Sequence, residues 1–276
     1  MIKIGFIDYY LDEWHANNYP DMIKKESDGE QIVCYAYGKI DNPNGMTNKE
    51  WAEKYSIELL DSIEEVVEKS DRIIVLSPDN PEMHEELSQI PLESGKLVYI
   101  DKTFAPDKAT AVRIFEHADK NNTKCYSSSS LRFSSELELI DKKTIHSIHC
   151  EGSGDYDVYS VHLIEQIVCL MECRAKDVMF TGRSDHPTMI IRFEDGRNAY
   201  MQLAKDLDFR LLIDDVNNNG KAYKIESDFI SLFIKKLVKY FRDGIVPVEH
   251  SQTIDVIAIR EAGFEAMKRP FEWVRV

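Results

Sequence analysis

Acids, a histidine and two asparagines crowd one short stretch of the chain, GFIDYYLDEWHANNYPDMI, residues 5–23. A nucleotide-binding turn at such a place, between a first strand and a first helix, needs glycines. They let backbone N–H groups approach a pyrophosphate resting on the helix N-terminus. Here Gly5 is the only glycine, Tyr9 and Tyr10 add bulk, and Asp8, Asp12 and Glu13 put negative charge where phosphate is expected. Two like charges ~4 Å apart repel by about 1 kcal/mol in water and about 4 kcal/mol at an effective dielectric of 20, against ~0.3–1 kcal/mol from a helix dipole. The usual phosphate seat is therefore damaged. Asp12 is expected to cap a helix starting at Trp14. The segment EWHANNY then reads as a pocket wall, with Trp14, His15 and Asn18 facing a crevice.

Other reactive side chains point elsewhere or nowhere. The second strand should end in an acid for a ribose, but CYAYGKID offers Tyr37, Gly38 and Lys39, and Lys39 hints at a ribose phosphate and hence NADP. His146 and His149 have no third ligand at metal spacing and read as a strand-edge pair, so no metal site is expected. Five scattered cysteines without a CxxC pair suit a reducing compartment. With 34 basic against 49 acidic residues, a net charge of −15 repels phosphate backbones and anionic lipid surfaces. Neither nucleic acid nor membrane is an expected partner, and no apolar run is long enough to span a bilayer. These features lead to the expectation of a soluble cytoplasmic protein.

The elements that must position these groups change grammar part-way along the chain. Apolar strands at 3–8, 32–37, 72–77, 97–101 and 124–129 alternate with helical segments. The clearest helix is PDKATAVRIFEHADKNN, with Ala111, Ile114, Phe115 and Ala118 on one face. Such alternation predicts a Rossmann-like, doubly wound parallel sheet whose loops after Asp8, Tyr37, Ser77 and Asp101 rim one crevice. After a helix at about 161–173, strands follow one another with short turns, including the hairpin signal EDG at 194–196. Two helices then close the chain. The expected architecture is a dinucleotide-binding α/β domain over 1–126 and an α+β substrate and oligomerisation domain, with a mainly antiparallel open sheet, over 127–276.

Three stretches occur in a telling order: LSPDNPEMHEEL (76–87), SGKLVYIDKTFAPDKATAVRIFEHADKN (94–121) and YSVHLIEQIVCLM (159–171). With FEDGR and the ending YFRDGIVPVEHSQTIDVIAIREAGFEAMK, their succession resembles the glucose-fructose oxidoreductase, inositol dehydrogenase and rhizopine-catabolism family (Gfo/Idh/MocA). The resemblance implies that DKT at 101–103 stands for the family's Glu-Lys-Pro, with Lys102 reaching nicotinamide and substrate hydroxyl. An ammonium just past a strand end can hold a substrate oxygen and stabilise charge developing there. His162 corresponds to the family histidine of the substrate pocket, and histidine, as a residue type that ordinarily titrates near neutrality, suits proton exchange with an alcohol. Tyr159 belongs to a tyrosine-containing variant of that motif, Val158 replacing the more usual aspartate. Gly5, Asp8, Tyr9, Ser77, Pro78, His84, Asp101 and Lys102 would lie along the cofactor, although His84 could equally cap the next helix. Arg132 aligns with the arginine opening the second domain, as a pocket or junction residue.

The implied function is hydride transfer between NAD or NADP and a sugar or cyclitol-like polyol, in a homo-oligomer built through the C-terminal sheet. The rival is a cofactor-less ligand-binding or regulatory protein on the same architecture, which the eroded glycine turn favours.

Overall fold

A computed structural model describes residues 1–183 and 185–276 of the chain. In chain order, β1 (Ile2–Asp8), α1 (Trp14–Glu26), β2 (Gln31–Gly38), α2 (Asn48–Tyr55), β3 (Glu58–Leu59), α3 (Ile63–Lys69), β4 (Arg72–Val75), α4 (His84–Glu93), β5 (Leu97–Ile100), α5 (Lys108–Lys120) and β6 (Cys125–Tyr126) make the first half. α6 (Ser135–Glu138), β7 (Ile145–Gly152), α7 (Tyr156–Met171), β8 (Ala175–Phe180), β9 (Thr188–Phe193), β10 (Asn198–Leu203), β11 (Arg210–Asp215), β12 (Gly220–Lys224), α8 (Phe229–Asp243), α9 (His250–Lys268) and β13 (Trp273–Arg275) make the second. The chain divides into two compact units, Met1–Ser128 with Ser231–His250, and Ser129–Ile230 with Ser251–Val276. Sequence grammar suggests one break at 126/127; the contacts give a first unit that also takes back most of α8.

The first unit is a parallel sheet in the order β3-β2-β1-β4-β5-β6. Its inner strands are apolar on both faces, as a sheet covered on both sides requires: Ile4, Phe6 and Ile7 of β1 and Ile73, Ile74 and Val75 of β4 are fully buried. The order reverses between β1 and β4, so the loops leaving the carboxyl ends of these strands diverge and leave a crevice there. α8 returns to this unit because its buried face, Phe233, Leu237, Tyr240 and Phe241, finds partners there. Gln31 donates to the Val238 carbonyl (2.8 Å), and the Tyr240 hydroxyl donates to the Lys124 carbonyl (2.7 Å).

The second unit is a seven-stranded sheet in the order β12-β11-β7-β10-β9-β8-β13, antiparallel except for the β7–β10 pair. Strand alternation buries one face, with Ile148, Cys150, Met201, Ile191, Phe193 and Leu211 packed in a core with Ile164, Ile167 and Val168 of α7. β7 is an inner strand, so His146 and His149 lie inside the sheet and not at its edge. No helix among the described residues is long and apolar enough to cross a membrane.

Gly5 belongs to this architecture and not to a ligand turn. It lies in mid-β1 at a register shift, and a Cβ there would stand 2.3 Å from Ser70 Oγ and 2.4 Å from Val66 Cγ1 at the end of α3. The expectation that Gly5 contacts a cofactor is thereby corrected. Gly5→Ala should cost about 1–3 kcal/mol through overpacking, read as a lower midpoint in thermal or urea unfolding.

Candidate functional site

The carboxyl ends of β1, β4 and β5 gather an unusual set of charges. Asp8 closes β1 at 1% exposure. Its Oδ1 accepts from the Tyr9 N–H (2.7 Å), while its buried Oδ2 has no hydrogen-bond partner. Burial first, and then the neighbouring charge of Glu13, holds the Asp8 pKa well above the ordinary carboxylate value. Asp101 follows β5, also 1% exposed. Its Oδ1 accepts from the Tyr99 hydroxyl (2.7 Å), and its Oδ2 lies 3.6 Å from His15 Nε2, too far for a hydrogen bond. Lys102, 9% exposed, comes next, and the Lys102–Thr103 peptide is cis.

His15 links these groups. Its Nδ1 lies 2.9 Å from Glu13 Oε2, and its own backbone N–H donates to the same oxygen at 2.7 Å. Burial opposes its protonation, but Asp101 and Glu13 outweigh burial and the opposing charge of Lys102, so the His15 pKa is raised. The cap of α1 is Glu13 and not Asp12, with Glu13 accepting from the His15 and Ala16 amides. Asp12 instead receives Met46 N–H (2.8 Å) and Asn17 Nδ2 (3.0 Å), because its side chain points toward the loop before α2.

Of the proposed pocket wall, only His15 turns toward Asp101. Trp14 is 48% exposed, and the Asn18 amide is tied back to the Trp14 carbonyl (2.6 Å). Two asparagines that sequence reading passed over carry more. Asn17 accepts from the Trp51 indole (2.8 Å), and Asn48 accepts Leu11 N–H (3.0 Å) while donating to the Gly38 and Ile40 carbonyls (3.0 and 2.8 Å). Asn48 thus fastens the loop after β1 to the loop after β2. Its only prior signal was a polar residue next to the Thr47 capping box.

The loop after β4 is held just as firmly. Ser77 sits at φ 82°, in the left-handed region, with its hydroxyl donating to the Asn80 carbonyl (3.2 Å), and Pro78 is buried. His84 is fully buried between the carbonyls of Leu76 (2.5 Å from Nε2) and Phe104 (3.0 Å from Nδ1). Burial pushes its pKa down. With both nitrogens turned to main chain, His84 positions two loops and offers nothing to a ligand, which corrects its expected place along a cofactor. Lys39 is also engaged, its ammonium 2.5 and 2.6 Å from the Glu86 carboxylate oxygens.

A nicotinamide dinucleotide can be tested against this donor set. A cleft of about 650 Å3 past β2 and β3, lined among others by Tyr37, Gly38, Ile40, Asn48 and Leu60, has room for a nucleoside. Lys102 stands at the opposite end of the same rim, past β5. Between them, the amides opening α1 are held by Glu13, so a pyrophosphate on those amides would need that carboxylate to turn aside. Among the described residues no group of three histidine, cysteine, aspartate or glutamate side chains could hold a metal ion.

In the second unit, His162 lies on α7, whose N-cap Asp155 accepts from Val158 N–H. Its Nδ1 is 2.7 Å from Ser129 Oγ, and its ring lies beside Tyr159, with centroids 5.8 Å apart. Tyr159 is 39% exposed. Arg132 is half-buried, paired with Glu165 (2.6 Å) and hydrogen-bonded to Gln252. Its guanidinium clamps residues 130–133 to α7 and α9, the structural one of the two roles expected for it.

Residues 16–129 match the family described as an oxidoreductase family with an NAD-binding Rossmann fold, Gfo/Idh/MocA. The match lies within the nucleotide-type part of the chain. Fold likeness extends over the whole chain. The myo-inositol dehydrogenase from Lactobacillus casei, solved with NAD(H) and myo-inositol, superposes at TM-score 0.82 and 10% identity over 100% of this chain and 96% of that one. GenD2 from gentamicin A biosynthesis, solved with NAD, gives TM-score 0.82 at 11% identity over 100% and 97%. UDP-N-acetylglucosamine 3-dehydrogenase from Acidithiobacillus ferrooxidans gives 0.76 at 14% over 97% and 98%. No curated protein matches the sequence.

The buried Asp8 carboxyl sets a pH dependence. Its folded pKa lies above the unfolded one, so it opposes stability progressively as pH rises through the folded value. Asp8→Asn should therefore raise the melting temperature at pH 8, by about 1–3 kcal/mol in stability for relief of an unmatched buried group. The gain should vanish near pH 4, as thermal scans across that range would show.

Proposed function

We propose that the chain is an NAD(P)-dependent oxidoreductase acting on a hydroxyl of a polyhydroxylated small molecule, a sugar or cyclitol. One observation carries the reading: a buried lysine, Lys102, immediately past β5, beside Asp101 and His15, within the stretch that matches an NAD-binding oxidoreductase family. The nicotinamide, when bound, supplies the hydride acceptor or donor. This chain's residues supply the rest. Lys102 holds the substrate oxygen and stabilises negative charge on it as the carbon gives up hydride. His162, with Tyr159, takes the hydroxyl proton in oxidation and returns it in reduction. Ser129 suits either direction, because its hydroxyl can accept from Nδ1–H, leaving a lone pair on Nε2, or donate to Nδ1, leaving a proton there.

That one neighbour was solved with myo-inositol and another is named a UDP-N-acetylglucosamine 3-dehydrogenase supports the polyol class. Lys102→Met should lower kcat/KM by about 10²–10³, measured as NADH or NADPH formation with a panel of cyclitols and sugars. His162→Asn should fall similarly and lose the pH dependence of the rate. Dead variants of Lys102 alone, with His162→Asn fully active, would remove His162 from the reaction.

The open sheet is proposed to receive a second copy on its outer face, where Tyr200, Leu212 and Trp273 are exposed. Light scattering should give at least twice the chain mass, reduced by Leu212→Glu. The second functional reading, a ligand-binding protein without a cofactor, draws its support from the Glu13 carboxylate at the α1 terminus.

A further inference from the structure

In a sheet of this order, the amides that open α1 are the natural seat of an anion. Here the seat is filled from within. Glu13 Oε2 accepts the His15 N–H at 2.7 Å, and Oε1 accepts the Ala16 N–H. The preceding amides are taken too: Tyr9 by Asp8 Oδ1 (2.7 Å), Leu11 by Asn48 Oδ1 (3.0 Å) and Glu13 by the Leu11 carbonyl (2.9 Å).

The choice of residue is telling. Short side chains favour N-caps, as Asp107 does for α5 through the Thr110 N–H (2.7 Å). Glutamate is longer, spreads two oxygens over two successive amides, and reproduces the charge and the acceptor spacing of one edge of a phosphate. His15 Nδ1 holds it there at 2.9 Å. In the same cluster stands Asp8 Oδ2, on a residue 1% exposed and without a hydrogen-bond partner, a buried polar atom that the folded chain leaves unmatched.

We propose that the Glu13 carboxylate occupies the phosphate position of the dinucleotide site and is the residue that determines cofactor affinity. The proposal rests on the NAD(P) reading above. Binding then exchanges one anion for another on the same amides and must also move Glu13 away from His15, so the net gain at this position is small. The native protein is a weak dinucleotide binder by construction.

Isothermal titration calorimetry of the full chain with NADH and with NADPH tests this. Glu13→Ser keeps a capping oxygen and removes both charge and length; Glu13→Gln keeps the length and removes the charge. Asp107→Ser, at the cap of α5, controls for exchanging an acidic helix cap for serine away from the site. The expected result is binding of at least one dinucleotide tenfold or more tighter in both Glu13 variants, with no change in Asp107→Ser. If Glu13→Ser does not fold, as judged by circular dichroism, Glu13→Gln decides alone. Glu13 variants that bind no tighter than a binding wild type overturn the proposal and leave the NAD(P) reading standing. Absence of binding at millimolar NADH and NADPH, in wild type and variants alike, overturns both.

Discussion

Charge buried at the carboxyl end of the parallel sheet is the constraint around which the first unit is arranged. Asp8, Glu13 and Asp101 converge there with only His15 and Lys102 to balance them. Water is largely excluded, so each carboxylate needs a local answer. Glu13 finds it in the helix terminus, Asp101 in the Tyr99 hydroxyl and the facing imidazole, and Asp8 in a backbone amide and a raised pKa. Evenly shared hydration would not sustain such an arrangement. Asn48 and His84 hold the surrounding loops in place.

The second unit solves a different problem. Its α7 carries His162 and Tyr159 toward the surface, while one turn further on Glu165 is buried against Arg132. The ion pair is largely shielded from water, so its value lies in orientation: with Gln252 it fixes residues 130–133, the segment that follows Ser129, the partner of His162. A structural arginine thereby orders the segment next to the Ser129–His162 contact.

Much of this was legible before any coordinates. Apolar strands at β1, β2, β4 and β5, the amphipathic α5, and the Asp-Gly hairpin between β9 and β10 declare themselves by period and turn chemistry. So did the damage to the glycine turn. What stayed hidden depended on tertiary context. The two residues of β3 are too few to show a period. Gly5 resembles a ligand glycine until Ser70 and Val66 are seen above it. The capping role moved from Asp12 to Glu13 because a helix that starts at Trp14 makes the residue just before it the cap, whatever its length. His84 looked equally suited to two tasks, and only its burial between two carbonyls decides. α8 announces an apolar face but not the surface it will cover.

That last helix has a consequence for how the molecule is made. The chain leaves the first unit after Ser128, builds the whole seven-stranded sheet except its final strand, and only then supplies Ser231–His250 to the first unit. A ribosome working from the amino end therefore exposes a nucleotide-type sheet lacking part of its cover for about a hundred residues of synthesis. Neither unit can be excised as one uninterrupted segment.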